Sequence, residues 1–172
     1  MDETGYTFRA RFGTTWAPIG HPPVLRRVSQ RREVSSIVAL QAPLDGPARL
    51  FARHFQGSIC AQKVLTALRY FRKRMGHPLI IVWDRLPAHR AKKVQEFLSA
   101  HKEDYQVEWL PPYSPELNPE EPCNGVVKQE MLNALPSSLE DLQRLVRRAF
   151  RRLSHRYQVL EGFFRYTGLH VT

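Results

Sequence analysis

At 172 residues, 42% of them hydrophobic, the chain is long enough to bury one core of its own without disulfide staples. Cys60 and Cys123 lie far apart in no metal-binding spacing, and the longest apolar run, Leu79 to Trp83, is too short to cross a bilayer. A disulfide framework, a zinc finger and a membrane span are thereby excluded, and the reading is a cytoplasmic protein with no membrane partner. A net charge of +10 and a pI near 10.1 favour a polyanionic partner, because clustered Lys and Arg release phosphate counterions on binding.

Short strands dominate the first third. Tyr6 to Arg11, Val34 to Leu40 and Arg49 to Phe55 are separated by the turn-rich pieces Ile19-Gly20-His21-Pro22-Pro23 and Pro43-Leu44-Asp45-Gly46, which predicts an antiparallel meander. From Ser58 the period becomes helical through Val64, Leu65, Leu68 and Phe71, with Arg69, Arg72, Lys73 and Arg74 near the end and Gly76 as the stop. A buried strand, Leu79 to Trp83, precedes a helix carrying Val94, Phe97 and Leu98 and a strand Val107 to Leu110. That alternation predicts parallel strands at one side of a mixed sheet.

The end is helical. Ser137 with Glu140 forms a capping-box pattern, and Leu139, Leu142, Leu145, Val146, Ala149, Phe150 and Leu153 make one apolar stripe. The opposite face carries Arg144, Arg147, Arg148, Arg151 and Arg152, either a solvated face or a phosphate-contacting one. No repeat or linker interrupts residues 1–172, which read as one domain.

Two carboxylate positions carry the chemistry. Asp84 ends the apolar strand, where α/β sheets place their reactive groups, although an Asp there also caps helices. The stiff loop Leu110-Pro111-Pro112-Tyr113-Ser114-Pro115-Glu116-Leu117-Asn118-Pro119-Glu120-Glu121 supplies a second acid, and spacing alone leaves Glu116, Glu120 and Glu121 open. Acids brought near one point can share a divalent ion with a phosphate, which suggests phosphodiester chemistry. Trp16 and the proline-rich loop offer either stacking surfaces for bases or ordinary packing. The histidines other than His89 show no metal-ligand spacing.

Asp2-Glu3-Thr4-Gly5, Thr15-Trp16-Ala17-Pro18-Ile19-Gly20, Trp83-Asp84-Arg85 with His89, the Pro111 to Glu121 loop and Phe163-Phe164-Arg165 occur in this order across nearly the whole chain. In these motifs the chain resembles the DDE-type transposases of bacterial insertion sequences, in the mariner-related branch. The resemblance implies an α/β fold, a ribonuclease H-like mixed sheet flanked by helices, with its N-terminal strand truncated because only Met1 precedes Asp2. It implies Asp2, Asp84 and Glu121 as catalytic residues and metal ligands for two Mg²⁺ or Mn²⁺ ions, Glu121 being chosen by an Asn-Pro-any-Glu pattern. The function implied is metal-dependent DNA strand cleavage and strand transfer on element ends and target.

His89 matches a family histidine that touches substrate or orients an acid. With Arg144, Arg147, Arg148 and Arg151 it forms the expected DNA-contacting set, and a homodimer or an upstream helix-turn-helix chain is the expected protein partner. The chain departs from the family at Asn124, where a tryptophan is usual, and at Pro122, which is expected to displace the Glu121 carboxylate. No helix-turn-helix region fits before Asp2. These departures define an alternative, a catalytically impaired remnant that only binds DNA; a small basic RNA-binding protein is a rival from charge alone.

Overall fold

A computed structural model of the chain describes residues 1–8, 13–24, 26, 31–42, 46–112 and 114–168. Strands β1 (Asp2–Thr7), β2 (Glu33–Gln41) and β3 (Arg49–Gln56) form an antiparallel meander in that order, with Asp2 opposite Val38 and Val38 opposite Ala52. Helix α1 (Ala61–Met75) leads into β4 (Leu79–Trp83), and α2 (Lys92–Ala100) crosses to β5 (Tyr105–Trp109), which pairs parallel with β4. A 3-10 turn at Pro115–Leu117 precedes α3 (Glu120–Glu130), α4 (Leu139–Ser154) and α5 (Tyr157–Tyr166).

The expected first strand, Tyr6 to Arg11, is corrected: β1 begins at Asp2 and ends at Thr7. Its inward side chains are Asp2, Thr4 and Tyr6, two of them polar, so hydrophobic alternation does not announce the strand. Residues 9–11 of that expectation, residues 43–45 of the predicted turn and Tyr113 of the proline-rich loop lie outside the described residues. β5 likewise begins at Tyr105 and ends at Trp109, against the expected Val107 to Leu110.

Among the bonds that join the antiparallel and parallel halves, the Met1 amino group donates to the Val82 carbonyl at 2.7 Å. Glu3 and Asp84, further along both chains, meet through His89, so β1 and β4 run in the same direction. The Met1–Val82 bond brings Met1 beside β4. Burial agrees, since Met1 and Trp83 belong to the same core cluster.

The strands, in a three-stranded sheet β1-β2-β3 and a two-stranded sheet β4-β5, divide the core in two. On one side Ile37, Trp83, Ile81 and the inner faces of α1 and α2 pack together. On the other, Val34, Val38 and Tyr6 meet α3, α4 and α5. No β4 residue joins that second cluster, and Ile80 is 69% exposed. β4 is therefore buried on one face alone, a correction to the fully buried strand read from its apolar run.

Local signals explain the helix ends. Gly76 takes φ 81°, a left-handed conformation that costs glycine little, and its N–H bonds Arg72 O to close α1. At α4 the cap is Ser138 rather than Ser137, and its hydroxyl accepts from Asp141 N at 3.1 Å. Two adjacent serines followed by Glu140 and Asp141 permit both registers, and Leu139 and Leu142 reach the core only in the observed one. Pro122 does not interrupt α3: it sits in the first turn, where the amide it lacks has no intrahelical partner.

Candidate active site

Asp84 follows the last residue of β4, where the chain leaves the sheet. Its Oδ1 accepts from Leu86 N at 3.1 Å and lies 2.9 Å from His89 Nδ1, while 39% of its side chain is exposed. Its second oxygen makes no hydrogen bond among the described residues. One oxygen is held and the other is open, the arrangement a carboxylate ligand needs.

His89 is fully buried, its Nε2 lies 2.6 Å from Glu3 Oε1, and its ring stacks on Trp83 with centroids 4.1 Å apart and planes 11° from parallel. Burial works against its charge, yet the Glu3 hydrogen bond and the charges of Glu3 and Asp84 outweigh burial and hold its pKa above the ordinary histidine value. A ring sealed in this way cannot reach DNA, so the expectation that His89 contacts DNA is corrected. Glu3, Asp84 and His89 bring their ligand atoms within 4.8 Å of one another.

Asp2 lies on the opposite face of β1 from Glu3 and is 8% exposed. Its Oδ1 accepts from Glu3 N at 2.7 Å; its Oδ2 accepts from Asn118 Nδ2 at 3.2 Å and Asn124 Nδ2 at 3.3 Å. Burial, and after it the charge of Glu120, push the Asp2 carboxyl up to about 7. Asn124, standing where the resemblance calls for tryptophan, thus spends its amide on the first acid.

α3 presents two consecutive glutamates in opposite ways. Glu120 is 1% exposed; its Oε1 accepts from Leu40 N at 2.8 Å and its Oε2 pairs with the Met1 amino group at 2.7 Å. Burial raises the Glu120 carboxyl, opposed by that amino group and by the Leu40 amide. Glu121 is exposed in the first turn, between Asn118 and Asn124, and its side chain has no hydrogen bond or ion pair among the described residues. The structure therefore brings Asp84 to Glu3 and His89, holds Asp2 with Asn118 and Asn124, and leaves Glu121 unattached at the helix start.

Sequence reasoning missed Glu3 and Asn118 as parts of this site, left Glu120 open beside Glu116 and Glu121 before choosing Glu121, and read Asn124 only as a departure from the family. Glu3 and Asn118 stand inside the quoted motifs, so adjacency to Asp2 and to the Asn-Pro pair was the signal that could have found them. Nothing local identifies Glu120 as the buried acid. Among the described residues His89 and the Met1 amino group are the cationic partners of Glu3, Asp84 and Glu120, Asp2 has none, and Glu3 Oε2 is buried without a partner. An all-oxygen donor set with excess negative charge fits a hard divalent cation such as Mg²⁺ or Mn²⁺.

The expected arginines lie on the outer face of α4. Arg144 pairs with Asp141 at 2.6 Å and Arg152 with Glu130 at 2.8 Å. Arg147, Arg148 and Arg151 are exposed and carry no ion pair among the described residues. Trp16, 100% exposed, is no part of the core. Among the described residues no helix is long and apolar enough to cross a membrane.

Comparison with known proteins bears on the fold and the family. The solved structures that the fold matches include the Mos1 strand transfer complex (TM-score 0.59, 15% identity, 92% of this chain and 51% of that one). They also include the Mos1 paired-end complex with left transposon end (TM-score 0.60, 15% identity, 98% and 55%). A third is the mariner Mos1 paired-end complex with Mg (TM-score 0.61, 14% identity, 96% and 50%). The chain spans about half the length of these Mos1 chains, and the likeness shows the ribonuclease H-like fold expected from the sequence. No curated protein matches. Residues 1–143, most of the chain, match the family described as DDE superfamily endonuclease, and the chain belongs to that family.

Proposed function

We propose that the chain is the catalytic domain of a transposase, cleaving and rejoining DNA strands with Asp84, Asp2 and Glu121 as the carboxylates that hold Mg²⁺ or Mn²⁺. The observation that carries this reading is Asp84 with one oxygen held by Leu86 N and the His89 ion pair, the other without a hydrogen bond among the described residues, and Glu3, the neighbour of Asp2, tied to it through His89. Bound divalent ions would polarise the scissile phosphate and make water or a 3′-hydroxyl a better nucleophile, two of them where all three acids contribute.

The residues have separable tasks. Asp84 offers its open oxygen from a rigid strand end. Asp2 is held by two amides and, with a carboxyl near 7, binds a cation better as pH rises and the proton leaves. Glu121, exposed in the first turn of α3 and without a hydrogen bond or ion pair among the described residues, is the third acid of this reading. DNA and its phosphates lie against Arg147, Arg148 and Arg151, with Arg144 freed from Asp141 as a further contact. A second copy of the chain or a helix-turn-helix partner would recognise the element ends, and a DNA-acting protein of a bacterial cytoplasm is the matching setting.

The test is Mg²⁺-dependent nicking of a supercoiled plasmid by the chain and by its Asp84→Asn and Glu121→Gln variants. Loss of nicking in both supports the assignment. Nicking that survives Asp84→Asn removes this acid, and an inert parent chain that still binds DNA identifies a remnant.

A further inference from the structure

We infer that Glu3 and His89 form a clamp that positions Asp84, an assignment that rests on the reading of Asp84 as a metal ligand. His89 is fully buried; its Nε2 lies at hydrogen-bond distance, 2.6 Å, from Glu3 Oε1, and its Nδ1 hydrogen-bonds the Asp84 backbone carbonyl at 3.2 Å. Nδ1 also lies 2.9 Å from Asp84 Oδ1, an ion-pair contact, so the ring meets backbone and side chain of the same residue. Stacking on Trp83 at 4.1 Å fixes the ring plane.

The turn that carries His89 is fixed as well. Its N–H bonds Leu86 O at 3.0 Å, and Gln95 Nε2 donates to its carbonyl at 2.9 Å, which ties the turn to α2. Leu86 N donates to the same Asp84 oxygen at 3.1 Å, so Oδ1 is held by one hydrogen bond and the His89 ion pair, while the other oxygen makes no hydrogen bond among the described residues. A carboxylate whose rotation is already stopped loses less entropy on taking up a cation.

The clamp also links the two sheets. Glu3 adjoins Asp2 on β1, whereas Asp84 follows β4, and the two sheets are joined by the Met1–Val82 bond and by Gln41 Nε2 with His77 Nε2 at 3.0 Å. The Glu3–His89–Asp84 chain is a further tie between them, and it links the neighbour of Asp2 to Asp84. His89 is a positioning residue rather than a ligand, because both of its nitrogens are spent and Mg²⁺ prefers oxygen.

Mn²⁺ binding to the full chain, followed by electron paramagnetic resonance of the free aqueous ion, tests the clamp without relying on turnover. Glu3→Ala should weaken Mn²⁺ binding by about tenfold, the scale expected when a ligand's supporting hydrogen bonds are removed. Glu3→Gln, which keeps an acceptor for Nε2, should stay within about threefold of the parent. His89→Gln breaks the clamp from the other side and should match Glu3→Ala, which keeps the test decisive if Glu3→Ala fails to fold. Glu3→Gln as damaging as Glu3→Ala would make Glu3 a direct ligand and overturn the clamp, as would imidazole nitrogen coupling in the Mn²⁺ spectrum. Parent-like binding in Glu3→Ala or His89→Gln, with binding lost in Asp84→Asn, would reject the clamp and leave the metal site standing. Parent-like binding in Asp84→Asn would defeat the site reading, and the clamp with it.

Discussion

Glu120 and Leu40 are 80 residues apart, yet the buried glutamate accepts the Leu40 backbone N–H at 2.8 Å. The contact pins the first turn of α3 to β2, immediately beside Asp2. Glu120→Ala leaves that amide and the Met1 amino group without their acceptor and should cost roughly 2–4 kcal/mol in urea denaturation. Glu120→Gln keeps an acceptor oxygen and should cost less than half as much. Because the Glu120 charge helps to raise Asp2, Glu120→Gln should also lower the Asp2 carboxyl, measurable by carboxylate ¹³C NMR titration.

Asn118 and Asn124 donate to the same Asp2 oxygen but are not equivalent. Asn118 also accepts from Glu120 N at 3.2 Å, whereas Asn124 Oδ1 is buried without a partner. Asn118→Ala therefore loses two bonds and should destabilise by roughly 1–3 kcal/mol. Asn124→Leu removes an orphaned acceptor along with one donor and should change stability by less than about 1 kcal/mol. Thermal unfolding that ranks the two variants in the reverse order would show that the amides have been assigned the wrong weights.

Much of the fold was legible where a local pattern dictates it. The apolar run Leu79 to Trp83 is β4 residue for residue, the Gly76 stop closes α1, and the α4 stripe buries Leu142, Val146, Ala149 and Leu153. Asp84 at a strand end was readable for the same reason. What local patterns miss is contact across the chain: Glu3 and His89 are 86 residues apart, and only the completed fold makes them neighbours. The glutamate pair shows the same limit, since one 100° step around a helix decides that Glu120 is buried and Glu121 exposed.

Acid lability should be traceable to His54. It bonds Ser36 Oγ at 2.8 Å, and burial, then the charges of Arg147 and Arg53, lower its pKa from 6.5 to about 4. Between those values the unfolded chain binds a proton that the folded chain refuses. This contribution to stability is therefore present above pH 6.5 and lost as pH falls toward 4, about 2 kcal/mol of it by pH 5. His54→Gln removes the titration, so its melting temperature should fall less between pH 7 and pH 5 than the parent's. Equal falls would place the acid sensitivity elsewhere.

The arginine face of α4 gives a prediction with its own internal control. Arg147, Arg148 and Arg151 are exposed without ion pairs among the described residues, whereas Arg144 and Arg152 are already matched by Asp141 and Glu130. An unpaired arginine can give its full charge to a phosphate, but a paired one must first surrender a carboxylate. Replacing Arg147, Arg148 and Arg151 together by alanine should weaken binding to duplex DNA and flatten the slope of log affinity against log salt by about 3, nearly one for each phosphate no longer neutralised. Replacing Arg144 and Arg152 should flatten it by less than about 1 in all, since their carboxylates then repel the backbone that the arginines no longer mask. Fluorescence anisotropy of a labelled duplex across a salt series reads both slopes. Equal slopes for the triple variant and the parent would move the DNA to another face, such as the basic end of α1 at Arg72, Lys73 and Arg74.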